Sequence, residues 1–352
     1  MVDWDLAVAT GSRLVPAGPP VSREEAREAV AQLRAFAVQA QDHVRDYTGL
    51  VAPGDGGAVA VIDRPGWIRA NAAGFRAVID PLEERLQERR SRGGALGPGP
   101  WDAVGPKVTG VQTGSLLAFL ATKVLGQYDL FSTYDESPGR LLLVAPNIVA
   151  AEREMGVDPA DFRLWVCLHE ETHRVQFGAV PWLREHVLGE IRAYLEATDV
   201  DPAAMARRLR DGLGAVVEAL RGSEGTGMLL EAVQTPAQRE ILDRLTAVMS
   251  LLEGHADVVM DGVGPDVIPS VAAIRERFQR RRQGRGWADQ LTRRLLGLDA
   301  KMRQYRDGAA FVRQVVDQVG RDGFNAVWSS PAALPTRAEV LAPASWVARV
   351  VG

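Results

Sequence analysis

The 352-residue chain is 46% apolar and 24% charged, the balance of a globular protein and not of a disordered one. A formal net charge of -4 supplies no basic field to gather nucleic acid, and no uninterrupted run of ~18 apolar residues suits a membrane span. The single cysteine, Cys167, excludes an internal disulfide framework, and Asp3 and Asp5 stand where a signal peptide carries bases, so the chain is expected to be cytoplasmic.

The first predicted helix follows Ser22, which can cap free amides, and Glu24 and Glu25, which suit the positive end of a helix dipole. Val30, Leu33, Ala37 and Val38 continue it at helical spacing. A break at 53–57 is followed by a helix through Trp67, Ile68, Phe75, Val78 and Ile79 towards Leu82, and 93–100 reads as a linker. Another apolar helix is expected from Gly114 to Gln127. Residues 141–146 are the best strand candidate, with Pro146 marking a sheet edge or a strand end, and 147–155 reads as a short helix. Asp158 and Pro159 form a good start for a long helix through His173 to Phe177. Further helices are expected from Pro181 to Leu195 and at 201–221, 236–260, 270–282, 287–297 and 308–319, before a tail that wraps over the body. The fold class is mainly α with a small β element near 141–146.

His169-Glu170-Glu171-Thr172-His173 matches H-E-x-x-H inside the long helix. Residues four apart share a helix face, with Cβ atoms roughly 5–6 Å apart, so the two imidazoles can reach one zinc ion. Glu170 stands beside the first histidine, placed to take a proton from water and not to ligate. The alternative is an ordinary helix with two polar histidines on its exposed face, and the charged Glu171 departs from stricter forms of the motif.

A catalytic zinc takes three protein ligands and leaves a fourth position open. Glu253 is the preferred third ligand because Asp257, four residues on, shares its helix face and can orient a histidine by accepting from its free ring nitrogen. His255, Glu190 and Glu196 are the rivals. His186, Tyr128 and Tyr194 are candidates for the pocket or for an oxyanion, each weighed against ordinary packing. Cys167 reads as a buried structural thiol, His43 as solvated, and the arginines from Arg275 to Arg285 as a solvated or ion-paired face.

Five segments carry a wider likeness: 63–71, 127–131, the zinc motif continuing to Gln176-Phe177 and Pro181-Trp182-Leu183, 252–261, and the tail from Trp328 to Trp346. Together they resemble the actinobacterial and chloroflexal zincin-like proteins designated hydrolases associated with deazaflavin-coenzyme biosynthesis, over nearly the whole chain. The resemblance implies a mainly helical zincin fold with His169 and His173 as zinc ligands and Glu170 as catalytic acid/base, and it favours Glu253. The expected organisation is a helical N-terminal part over 1–100, a zincin-like catalytic region over 101–262, and C-terminal helices with the wrapping tail over 263–352.

The expected function is a zinc-dependent hydrolase, a peptidase in the first instance, acting on a peptide or small amide with Zn2+ as cofactor. The strand at 141–146 is expected to align substrate as a sheet edge. The alternatives are a zinc-bearing helical scaffold without turnover and a zinc hydrolase of a non-peptide amide.

Overall fold

Leu141, Leu142, Leu143 and Val144 form an unbroken apolar run, and a strand of that kind buries both its faces. In the computed structural model, which describes residues 2–52, 59–92, 100–131, 139–197, 235–282 and 298–352, this run is the middle strand of a three-stranded sheet. The elements in chain order are α1 (Trp4–Leu14), α2 (Arg23–Thr48), β1 (Val59–Ile62), α3 (Arg64–Arg92), α4 (Pro100–Leu120), β2 (Gly126–Asp129), β3 (Arg140–Val144), α5 (Ala145–Met155), α6 (Pro159–Ala179), α7 (Leu183–Glu196), α8 (Pro236–Val263), α9 (Val271–Arg282), α10 (Leu298–Phe324), and, after two short 3-10 turns, α11 (Arg337–Leu341) and α12 (Pro343–Val350). The mainly helical expectation with a small sheet holds. The expected helices at 201–221 and 287–297, the break at 53–57 and all but Pro100 of the 93–100 linker lie outside the described residues.

The chain divides into two units, Met1–Ala179 with Val259–Phe278, and Val180–Val258 with Gln279–Gly352. In the first, β1 pairs parallel and β2 antiparallel with β3, in the order β1-β3-β2. Alternation along β3 feeds two cores. Leu143 joins Leu33, Val44, Ile148, Phe162 and Leu168 on one face, while Leu142 and Val144 join Trp4, Trp67, Ile68 and Leu117 on the other.

Two expectations need correction. The strand near 141–146 is central, not an edge, and it ends at Val144; Pro146 lies in the first turn of α5, where its missing N–H costs nothing. The helix expected from Gly114 to Gln127 stops at Leu120, since Gly126 to Asp129 gain a ladder with β3 that outweighs the helical pattern. It also begins earlier, at Pro100. Its glycines are contact points: a side chain at Gly114 would strike the Ala7 carbonyl of α1, and a Cβ at Gly110 would lie 2.6 Å from the Asp3 carbonyl oxygen.

Buried polar side chains then fix how the strands enter. Arg64 Nε donates to Asn147 Oδ1 at 2.6 Å, and Asn147 Nδ2 donates to the carbonyls of Ala121 (2.7 Å) and Val124 (2.6 Å), holding the turn that leads into β2. Arg277 and Arg275 of the basic run are spent internally, on the C-terminal carbonyls of α5 and on Asp261 respectively.

The second unit is closed by its tail. The Trp346 indole is fully buried, packs edge-on to Phe311 and donates to the Ala333 carbonyl at 2.7 Å. Arg349 grips both Glu339 oxygens, and α8 crosses α10 where Gly254 meets Gly308.

In the first unit α5 is tied to α6 by the Arg163 guanidinium, which holds both oxygens of Glu152 at 3.0 and 2.6 Å with side-chain exposures of 10% and 4%. Removing one member of such a pair leaves a buried charge and costs about 3–5 kcal/mol. Glu152→Ala is expected to destabilise the protein by that amount in denaturant unfolding.

Candidate metal centre

The motif helix α6 begins where Asp158 accepts from the Asp161 amide at 2.9 Å and Pro159 occupies the first helical position. It runs through the core with Phe162, Val166, Cys167, Leu168 and Thr172 buried, so its rotation about its own axis is fixed. Within that frame His169 and His173 are half-buried with their rings at 89° and their Nε2 atoms 3.3 Å apart. Two nitrogens bound to one tetrahedral zinc at about 2.0–2.1 Å would lie about 3.3–3.4 Å apart. The pair therefore already has the bite of a zinc chelate.

Their other ring nitrogens are engaged. His173 Nδ1 donates to Gln176 Oε1 at 2.9 Å. His169 Nδ1 lies 3.2 Å from Met260 Sδ, a thioether acceptor weaker than any oxygen. Both contacts leave the Nε2 lone pairs for a metal. Neither residue was nominated from the sequence, though Gln176 stands three residues after His173, a helical neighbour that spacing alone could have revealed.

Glu170 is 6% exposed, and its carboxyl lies directly against the backbone of Gly126 on β2. Glu171 is fully buried; Arg174 Nε donates to its Oε2 at 2.6 Å while Oε1 has no hydrogen-bond partner. Burial pushes the Glu171 carboxyl up to about 7, the Arg174 guanidinium offsetting part of the rise. Cys167 is buried as expected, and its thiol is pushed well up by burial, with the charges of Glu171 and Glu170 adding to it.

Among the described residues, His169, His173 and Glu253 are the group of His, Cys, Asp and Glu side chains that could hold a metal ion. Glu253 and Asp257 are half-buried on α8, one turn apart. Two hard-to-borderline nitrogens and one carboxylate are a donor set that suits zinc. His255 is stacked between Phe324 (5.3 Å) and Trp328 (5.4 Å), as a packed aromatic. The rival Glu190 is gripped by Arg244 Nε and Nη2, with contacts of 2.9–3.1 Å. Tyr194 is half-buried and Glu196 exposed in the last turns of α7. His186, also on α7, stands edge-on to Trp182 and lines a cavity of about 530 Å³ with Arg244, Arg337 and Arg349. Tyr128 stacks on Phe177 at 5.5 Å with the rings 7° from parallel. His43 is half-buried on α2, with its Nε2 3.4 Å from Gln39 Nε2.

Loss of a histidine's outer hydrogen-bond partner commonly lowers metal affinity about 10–100-fold. Gln176→Leu is expected to weaken metal binding at the candidate centre by that factor in chelator competition, and Met260→Leu by less, because the thioether is the poorer acceptor.

Comparison with known proteins places this geometry in context. The profile of the zincin-like metallopeptidases matches residues 2–347. A crystal structure from Chloroflexus aurantiacus, of a protein assigned as a hydrolase and described as having a novel fold, is 32% identical over 99% of this chain and 98% of that one, with a TM-score of 0.69. No protein of curated function matches. With the profile spanning almost its full length, the chain belongs to the zincin-like metallopeptidase family.

Proposed function

We propose that the protein is a zinc-dependent peptidase in which His169, His173 and Glu253 hold the metal and Glu170 carries the proton. The observation that carries this reading is the 3.3 Å separation of the two Nε2 atoms, with each Nδ1 turned to a separate acceptor. A bound zinc would polarise a scissile carbonyl and acidify water. The chain's own contribution begins with Glu170, whose carboxylate accepts a proton from the attacking water and returns it to the leaving amine. Gln176 keeps His173 in the tautomer that offers Nε2.

Extended substrate would dock on β2. With β3 in the centre of the sheet, β2 has a described strand on one side only, and its antiparallel backbone can pair with a peptide by strand addition. This moves the aligning role from residues 141–146 to 126–129.

A zinc scaffold without turnover is the competing reading. Among the described residues the donor set numbers three, and with a buried glutamate beside it this favours catalysis, since purely structural zinc sites are closed by four protein ligands. An association with deazaflavin-coenzyme biosynthesis rests on resemblance and would make a non-peptide amide the substrate to try second.

The test compares wild type, Glu170→Gln and Glu253→Ala for zinc content and for cleavage of a mixed library of short unstructured peptides. Stoichiometric zinc in wild type and Glu170→Gln, with cleavage lowered about 10²–10⁴-fold in the variant, is expected. Glu253→Ala should lose both zinc and cleavage. Zinc without cleavage in wild type would overturn the peptidase reading, and absence of zinc from wild type purified without chelator would overturn the metal centre.

A further inference from the structure

Gly126 opens β2, opposite Leu143 in the ladder. Its backbone gives no reason for a glycine: it is extended and is not among the described glycines of positive φ. A glycine in a strand ordinarily weakens it. What requires glycine here is Glu170. A Cβ at position 126 would lie 2.5 Å from Glu170 Cδ, 2.6 Å from Cγ and 2.7 Å from Oε1.

The neighbouring contacts show that this approach is built into the register. Residues of alternate parity in β2 face opposite sides. Tyr128, on the same side as Gly126, stacks on Phe177, seven residues after Glu170 on α6. Gln127 faces away and accepts from Trp67 Nε1 at 2.7 Å, and Asp129 pairs with Arg140. The strand is thus held along the motif helix by Tyr128 on one side and by Gln127 on the other, with the bare backbone of Gly126 at the level of the glutamate.

We infer that Gly126 is a positioning residue for the proposed reaction. Its missing side chain leaves the space in which the Glu170 carboxylate is held. The inference rests on the reading of Glu170 as proton carrier. Since the atoms in the way are the far end of a flexible side chain and not backbone, a side chain at 126 displaces the carboxylate and leaves the fold intact.

Gly126→Ala in the full chain tests this by crystallography and by kinetics on a peptide that wild type cleaves. The carboxylate should move by about 1 Å or more with the β2–β3 ladder and zinc content unchanged. kcat should then fall on the order of a hundredfold, as for a catalytic group misplaced by that distance, with KM within a factor of about two. Glu170→Asp, with its shorter side chain, should cost less activity in the Gly126→Ala background than in wild type. An unmoved Glu170, or a moved one with wild-type kcat, overturns the inference. Should wild type cleave no peptide, the proposed function fails, while the crystallographic comparison still decides the placement: a displaced carboxylate upholds it and an unmoved one overturns it. Should Gly126→Ala fail to fold, Gly126→Ala combined with Glu170→Ala decides: a folded double variant upholds the contact, and an unfolded one overturns it.

Discussion

Two imidazoles four residues apart can share one cation only if their helix cannot roll. A rotation of a few tens of degrees would carry one ring off the common point. In this protein α6 is held by apolar contact from α2 and the sheet side, with Phe162, Val166 and Leu168 buried, and by the Arg163–Glu152 pair to α5. Close packing resists small rotations because no void is available to absorb them. The 3.3 Å approach of the Nε2 atoms is the product of that restraint.

The same restraint explains why so many polar groups lie along a core helix. Thr172 returns its hydroxyl to the Leu168 carbonyl at 2.7 Å, Glu171 and Arg174 pair within one turn, and Gln176 serves His173. Each is satisfied largely inside the helix, so it can be buried without a distant partner. The Glu171 Oε1 is the exception, and its raised titration reflects the cost of a carboxyl held dry.

Much of this was legible in the sequence. The Ser22 and Asp158 caps, the motif spacing and the unbroken 141–144 run each depend on local geometry that a few neighbouring residues dictate. The misreadings came from residues whose role is set by something distant. The helix expected to begin at Gly114 begins at Pro100, and Gly110 and Gly114 lie inside it where α1 packs on them. Gly126 and Gln127 continue a helical pattern until β3 offers a ladder. Met260 carries no sign of being a histidine partner, because it lies 91 residues from His169.

The sequence by itself determined the placing of the motif: a helix with His169, Glu170 and His173 on fixed offsets, since helical periodicity alone sets which side chains share a face. Tertiary structure alone decided that, among the described strands, β3 is central and β2 lies at one side of it. It also decided that a thioether and an amide orient the histidines, and that the strand backbone touches Glu170. Those contacts join segments far apart in the chain, and nothing local in either segment encodes the distance between them.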